Sequence, residues 1–500
     1  MSDAGLEEFS SARKAQLQKN EARRMRTHVQ EARGNIQRSA SRWPFELTQN
    51  AHDPGPRAGQ THVNISVSFD GTNLIYEHDG KPFSAQELAA LLSGGSSKEF
   101  EATDTTGRFG TGFLLTHVLS LQVHFQGIFA TAAGHESVRL ALDRSGDEDT
   151  IYANTLACEE GIKKGVPLSE LNSHQTAHFS YKTDDPEAAL LGLVALEKTL
   201  LYLYGTCEHL GTATLRHNGR TVRFQPESPV GRGSGSFHFH ERQVAITENG
   251  IHLTTAKVVR LRKQAESLAS LVAVLEKSGQ TWRFLEPPLG APRLYCRFPL
   301  RLSDFLPINA VIDGRFDVPQ ERDAILMEDR DKEQIAEALS LLPTLVQIGL
   351  QDSWVGTHKL AFVGMPDKAF GEDLEPSLKI WWREQLSATA RKLGEMPIVL
   401  TTDGQFHQPL SPDSSPAPTC FVLPRFDANQ TKDELDFAAT WTVASELRSV
   451  TLPALAIAEE WTAIAAQWLT LSVPVRRLTL LNIAGRARKG ATTFAELQTT

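Results

Sequence analysis

Between residues 63 and 69 apolar and polar residues alternate, so that Val63, Ile65, Val67 and Phe69 share one side of an extended chain. Asp70-Gly71 then marks a turn, and Leu74 to Tyr76 begin a return strand. Upstream the texture differs. Residues 5–41 are rich in alanine, glutamine and arginine, hold no proline, and read as a long helical arm. Arg42-Trp43-Pro44-Phe45 follows, with a proline where a helix begins at no loss of a hydrogen bond. Ser84 is placed to cap a short helix through Leu92. Further strands are expected at 121–129, 136–142 and near 176–182, which gives a mixed sheet covered by helices on one face.

Pro226, Pro229, Gly231, Gly233 and Gly235 cluster at a boundary near 225–235. Beyond it strands and helices mix again to residue 350. Helical periodicity returns at 332–350, 377–393 and 455–470, with a strand at 397–401 and a proline-rich loop over 410–418. The expected layout is a basic helical arm (1–41), a first α+β domain (42–230), a second α/β domain (231–350) and a mixed, mainly helical C-terminal region (351–500).

Composition narrows the field. At 500 residues two or three domains are expected, and 41% apolar content permits ordinary cores. A net charge of −9 argues against wholesale coating of nucleic acid. Positive charge is nevertheless concentrated in the arm, at Arg13, Lys14, Lys19, Arg23, Arg24, Arg26, Arg33, Arg38 and Arg42. That arm reads as a solvated helix beside the core, with nucleic-acid contact or a strap between protomers as the sharper alternatives. Cys158, Cys207, Cys296 and Cys420 are far apart, so neither zinc nor a disulfide framework is indicated. The polar N-terminus is unlike a signal peptide, and no uninterrupted apolar run reaches membrane-spanning length. A soluble cytoplasmic protein is the expectation.

Three segments carry candidate chemistry. In Glu46-Leu-Thr-Gln-Asn50-Ala-His-Asp53, helical spacing puts Glu46, Asn50 and Asp53 on one stripe. The second is Glu77-His78-Asp79-Gly80-Lys81-Pro82-Phe83. After a serine-rich stretch containing Lys98 comes the third, Gly107-Arg108-Phe109-Gly110-Thr111-Gly112-Phe113, running into Leu114-Leu115-Thr116-His117. Glu46 suits a general base, and Asn50 supplies the single hard oxygen that magnesium needs. The closely spaced glycines let backbone N–H groups approach phosphate oxygens.

In this order the segments resemble the N, G1 and G2 boxes of the GHKL (Bergerat-fold) ATPases, and their wording is most similar to the sacsin-type, chaperone-like branch. The resemblance is strong over residues 40–125 and thinner elsewhere. It implies a Bergerat-type α/β sandwich, a transducer-like second domain, and magnesium-dependent ATP hydrolysis used as a lid or dimer clamp. Glu46 would serve as base and Asn50 as metal ligand. Asp53, His78, Asp79, Gly80, Lys98 and Gly107, Arg108, Phe109, Gly110, Thr111 and Gly112 would contact the nucleotide. The family commonly places aspartate at the first G1 position to accept from the adenine amino group. Here that position is His78, so either its imidazole or Asp79 takes the role.

Asp313-Gly-Arg-Phe-Asp-Val-Pro-Gln-Glu-Arg322 echoes the segment after the ATPase core in sacsin-type proteins, and implies Arg322 or Arg315 as the γ-phosphate sensor. Homodimerisation, and a client protein, partner subunit or nucleic acid in a DNA-processing or antiviral system, are the partners this implies. Chaperone-like members are often much larger, which leaves room for the chain to be the front of a longer protein. Two rival readings remain. One is an ATP-gated scaffold without hydrolysis. The other is a histidine kinase, for which His28 sits on the upstream helix but is followed only loosely by the usual acidic residue.

Overall fold

The computed structural model describes residues 2–95, 112–132, 134–164, 175–234, 237–319, 322–411, 415–417, 441–442, 444–445 and 451–478. The chain is mixed α/β and divides into two units. The first comprises Met1–Pro229, Arg242–Ala256 and Arg297–Pro299, and the second Val230–Glu241, Lys257–Cys296 and Leu300–Thr500.

In the first unit, helices α1 (Asp3–Gly34), α2 (Ile36–Ala40) and α3 (Trp43–His52) precede strands β1 (Val63–Phe69) and β2 (Asn73–His78). Helix α4 (Ala85–Ser93) comes next, and the short helix α5 (Gly112–Leu115) leads to β3 (Gln122–Thr131) and β4 (Gly134–Asp143). Helix α6 (Glu148–Lys164), β5 (Ala177–Lys182), α7 (Pro186–Thr206), β6 (Leu210–His217) and β7 (Arg220–Pro226) follow. The sheet order is β7-β6-β1-β2-β5-β3-β4. The β1–β6 pair is parallel and the β1–β2, β2–β5, β5–β3, β3–β4 and β6–β7 pairs are antiparallel.

Alternation decides the faces. Val63, Ile65, Val67 and Phe69 of β1 are buried, as are Leu74 and Tyr76 of β2 and Ala177, Phe179 and Tyr181 of β5. Their intervening neighbours are exposed or partly so. The helices cover the apolar face: Tyr76 donates a hydrogen bond to Thr48 of α3 at 3.2 Å, and Tyr181 one to Thr116 at 3.2 Å. Helix α7 packs on α3 so closely that a Cβ at Gly192 would lie 1.9 Å from the Trp43 indole nitrogen. By length and composition α7 is apolar enough to cross a membrane, although the sequence showed no uninterrupted apolar run. Leu193, Leu196, Leu200 and Leu203 are fully buried here, so it serves as a core helix.

Local signals set the helix ends. Pro44 occupies the first turn of α3. Ser84 and Glu87 form a reciprocal capping box on α4, and Gly94 closes that helix in the left-handed conformation at φ 61.

The second unit contains β8 (Val230–Ser234), β9 (Phe237–Glu248), β10 (Ile251–Arg262), β11 (Ser270–Ser278), β12 (Thr281–Leu285), β13 (Leu294–Cys296) and β14 (Val311–Asp313), with β9 and β10 each lending their other half to the first unit. Helices α8 (Asp329–Ser340), α9 (Leu342–Gln351), α10 (Pro376–Gly394) and α11 (Leu455–Thr470) complete it. Their apolar faces join those of β10 and β11 in one core that includes Leu271, Ile312, Leu345, Trp382, Trp461 and Trp468. The helical run expected over 332–350 breaks at Leu341 because Pro343 starts a new helix.

Candidate functional site

Helix α3 positions the first set of residues. Glu46 sits one turn beyond Arg42, and the guanidinium donates to its carboxylate at 3.0 Å, with the two side chains 14% and 12% exposed. This i,i+4 pair is largely shielded from solvent, so it fixes where the carboxylate lies. Asn50, one turn further on, is exposed and makes no side-chain hydrogen bond among the described residues.

The stripe ends there. Asp53 is the C-cap of α3, and its side chain is 1% exposed. Its carboxylate accepts from Gln49 at 3.3 Å and lies 3.9 Å from Arg297 and 3.7 Å from His52. Asp53 is therefore the most deeply buried of the three, Glu46 is largely shielded, and only Asn50 is exposed.

The end of β2 meets the last turn of α3. A Cβ at Gly80 would lie 2.9 Å from the Ala51 carbonyl oxygen, so only glycine lets the two backbones approach. Thr176 secures the turn from the other side. Its N–H donates to the His78 carbonyl at 2.9 Å and its hydroxyl to the Gly80 carbonyl at 2.7 Å.

His78 and Asp79 then part company. His78 is 5% exposed, on the same strand face as Tyr76, with its ring 6.3 Å from that of Phe83. Burial holds its pKa down at about 4, so the imidazole is neutral. Its Nδ1 accepts from the Gly80 N–H at 3.3 Å. Asp79 serves the neighbouring strand instead. Its two carboxylate oxygens accept from the backbone N–H and the side-chain amide of Asn64, each at 2.6 Å. Asn64 in turn accepts from Thr212 N–H at 2.7 Å, and fills the β1–β6 irregularity that Gly211 leaves open.

The third segment is described only from Gly112 onward. Lys98, Gly107, Arg108, Phe109, Gly110 and Thr111 lie outside the described residues. Gly112 opens α5 directly on Glu46: a Cβ there would fall 2.2 Å from Glu46 Oε2. A Cβ at Gly94 would meet Leu114 and Met25, each at 2.9 Å, so the chain before residue 96 packs against the chain after 111. Two arginines hold this place. Arg144, 3% exposed, donates to the Leu92 carbonyl at 2.6 Å, and Arg24 to the Ser93 carbonyl at 3.3 Å. Both neutralise orphan carbonyls at the end of α4.

Several of these partners were not legible beforehand. Arg42 had a signal, its four-residue spacing from Glu46. Asn64 and Arg144 had none, since their contacts cross 15 and 52 residues of chain. His28 lies on α1 with Nδ1 3.3 Å from Glu31.

Arg315 and Arg322 belong to the second unit. The Arg315 backbone is clamped by Gln334, which accepts from its N–H at 2.7 Å and donates to its carbonyl at 3.2 Å, and its side chain is exposed. Arg322 takes a left-handed conformation at φ 51, uncommon for a residue with a side chain.

No protein-family model matches the chain, and no curated protein matches it.

Proposed function

We propose that the chain is a GHKL-type ATPase with a Bergerat-type first unit, binding and hydrolysing ATP with magnesium and using the cycle as a conformational switch on a partner protein. One observation carries the reading. A single helix, α3, holds Glu46 and Asn50 and meets Gly80 through Ala51 and Gly112, the first residue of α5, through Glu46. Gly80 and Gly112, 32 positions apart in the sequence, are thus both drawn against one helix, beside residue types that nucleotide chemistry requires.

The chemistry follows from the side chains. Glu46 accepts a proton from, and orients, the water that attacks the γ-phosphate. Arg42 keeps its carboxylate in one place, which reduces the reorganisation needed at the moment of attack. The amide of exposed Asn50, which makes no side-chain hydrogen bond among the described residues, fits magnesium, which keeps most of its waters and needs few protein oxygens. When bound, the metal supplies charge neutralisation on the phosphates. Glycine at 112 leaves room for the Glu46 carboxylate, and a larger residue would displace it.

The test is magnesium-dependent phosphate release by the purified chain beside Glu46→Ala and Asn50→Ala. Both variants are expected to lose release by about a hundredfold or more, with ATP binding retained in Glu46→Ala. Wild-type protein that binds ATP without releasing phosphate would favour the scaffold reading, and protein that binds no nucleotide would end the proposal.

A further inference from the structure

Arg297–Pro299 belongs to the first unit, while Cys296 before it and Leu300 after it belong to the second. The neck of this loop is closed. Leu300 N–H donates to the Leu294 carbonyl at 3.0 Å. Buried Ser303 accepts from the N–H groups of Arg293 and Leu294 at 3.1 and 2.9 Å, and its hydroxyl donates to the Leu300 carbonyl at 2.6 Å. Beside the neck β13 pairs in parallel with β14, Leu294 opposite Ile312 and Tyr295 opposite Asp313.

The tip is fastened as well, at the C-terminal ends of two first-unit helices. The Arg297 carbonyl accepts from the hydroxyl of Thr206, the last residue of α7, at 2.6 Å. Its guanidinium lies 3.9 Å from the carboxylate of Asp53, the C-cap of α3. Phe298, 3% exposed, sets its ring nearly perpendicular to that of His52, with centroids 6.3 Å apart. His52 is buried and neither of its ring nitrogens has a hydrogen-bond partner, so packing holds that ring. Arg297 takes the left-handed conformation at φ 60, which a residue with a side chain keeps only where its surroundings fix it. We infer that the loop 294–300 is a lever built into the fold: a shift of β13 within the second unit moves the last turn of α3, and with it Asn50 and Glu46 on the same helix. Packed elements shift as rigid pieces rather than deforming, so a loop pinned at neck and tip passes displacement on.

Hydrogen exchange of the full chain, followed residue by residue without nucleotide, tests the lever whatever α3 binds. The readout is the last turn of α3, where the Asp53 N–H is held by the Gln49 carbonyl at 2.9 Å. Ser303→Ala loosens the neck from inside the second unit, and Arg297→Ala releases the tip. Each is expected to speed exchange over residues 47–53 by about tenfold or more, the scale of one lost buried hydrogen-bond partner. The β3–β4 hairpin is expected to keep its wild-type rates. A local role for Ser303 would leave α3 unchanged, so wild-type rates over 47–53 in either variant overturn the inference. A measurement on the wild-type chain decides the matter even if Ser303→Ala does not fold. In rising, subdenaturing urea the amides of Leu300 and Asp53 are expected to exchange through one shared opening, with the same dependence on urea. Separate openings with different urea dependence overturn the lever equally.

Discussion

His78 and Asp79 are adjacent in sequence and serve opposite faces of the sheet. Extended backbone sends successive side chains to opposite sides, so one faces α3 and the other reaches across β1 to Asn64. The consequence can be measured. Asp79→Ala removes two charge-assisted hydrogen bonds and leaves the Asn64 amide without its acceptor, a loss of about 1–3 kcal/mol. Thermal unfolding is expected to show the lowered stability, while calorimetry shows nucleotide affinity unchanged within about twofold, since the contact lies on the face away from α3. An affinity loss matching that of an Asn50 variant would place Asp79 in the site instead. Asp53 shows the same contrast: its helical spacing matches the stripe, while its carboxylate accepts from Gln49 and lies 3.9 Å from Arg297.

At the scale of elements, α1 is the part whose sequence and packing tell different stories. Its sequence advertises charge, and Lys19–Asp149 at 2.9 Å, Arg23–Glu148 at 3.8 Å and Arg26–Glu148 at 3.9 Å tie it to the first turns of α6. Exposed pairs of this kind contribute little, because water screens both partners. The attachment comes from Ala22, Met25 and Val29, spaced three and four apart and buried with Leu114 and Ile151. Met25→Ala is therefore expected to cost about 2–5 kcal/mol by leaving a cavity, and Lys19→Ala to leave stability essentially unchanged. Urea denaturation of both variants decides between these weights. Equal losses would mean that charge, not the apolar stripe, fastens the helix. Since Met25 also borders Gly94, loosening α1 disturbs the C-terminal end of α4 as well.

For the whole molecule, two buried imidazoles set a response to acid. Burial lowers His78 to about 4 and His117 to about 3, the latter helped by the positive charges of Arg144 and Arg33, against an ordinary value of 6.5. Their pKa values are depressed by folding, so between pH 6.5 and about 4 the unfolded chain binds more protons than the folded one. Stability is then full above pH 6.5 and falls as the solution is acidified through that window. Melting temperatures of the full chain at neutral pH and at about pH 5 and 4 should decline stepwise, and His117→Gln should flatten the decline. A flat wild-type profile over the same range would show that these rings are not shielded from water.

The sequence by itself determined the local pieces. Alternation at 63–69 placed β1, Pro44 opened α3, Ser84 with Glu87 capped α4, and helical periodicity marked 377–393 and 455–470. These signals are local because each depends on neighbours within a turn or a strand pleat. The same is true of Arg42 and Glu46, four residues apart on one helix. What only the tertiary structure decided is which of the polar residues face one another. The Asn64–Asp79 clamp, the grip of Arg144 on α4, the commitment of Asp53 to Arg297 and the approach of Gly112 to Glu46 all join distant parts of the chain. So does the tautomer of His78, which is set by burial and by a backbone turn held by Thr176. Polar side chains satisfy themselves with whatever donor or acceptor the packed core brings within about 3 Å, and no pattern along the sequence encodes that choice.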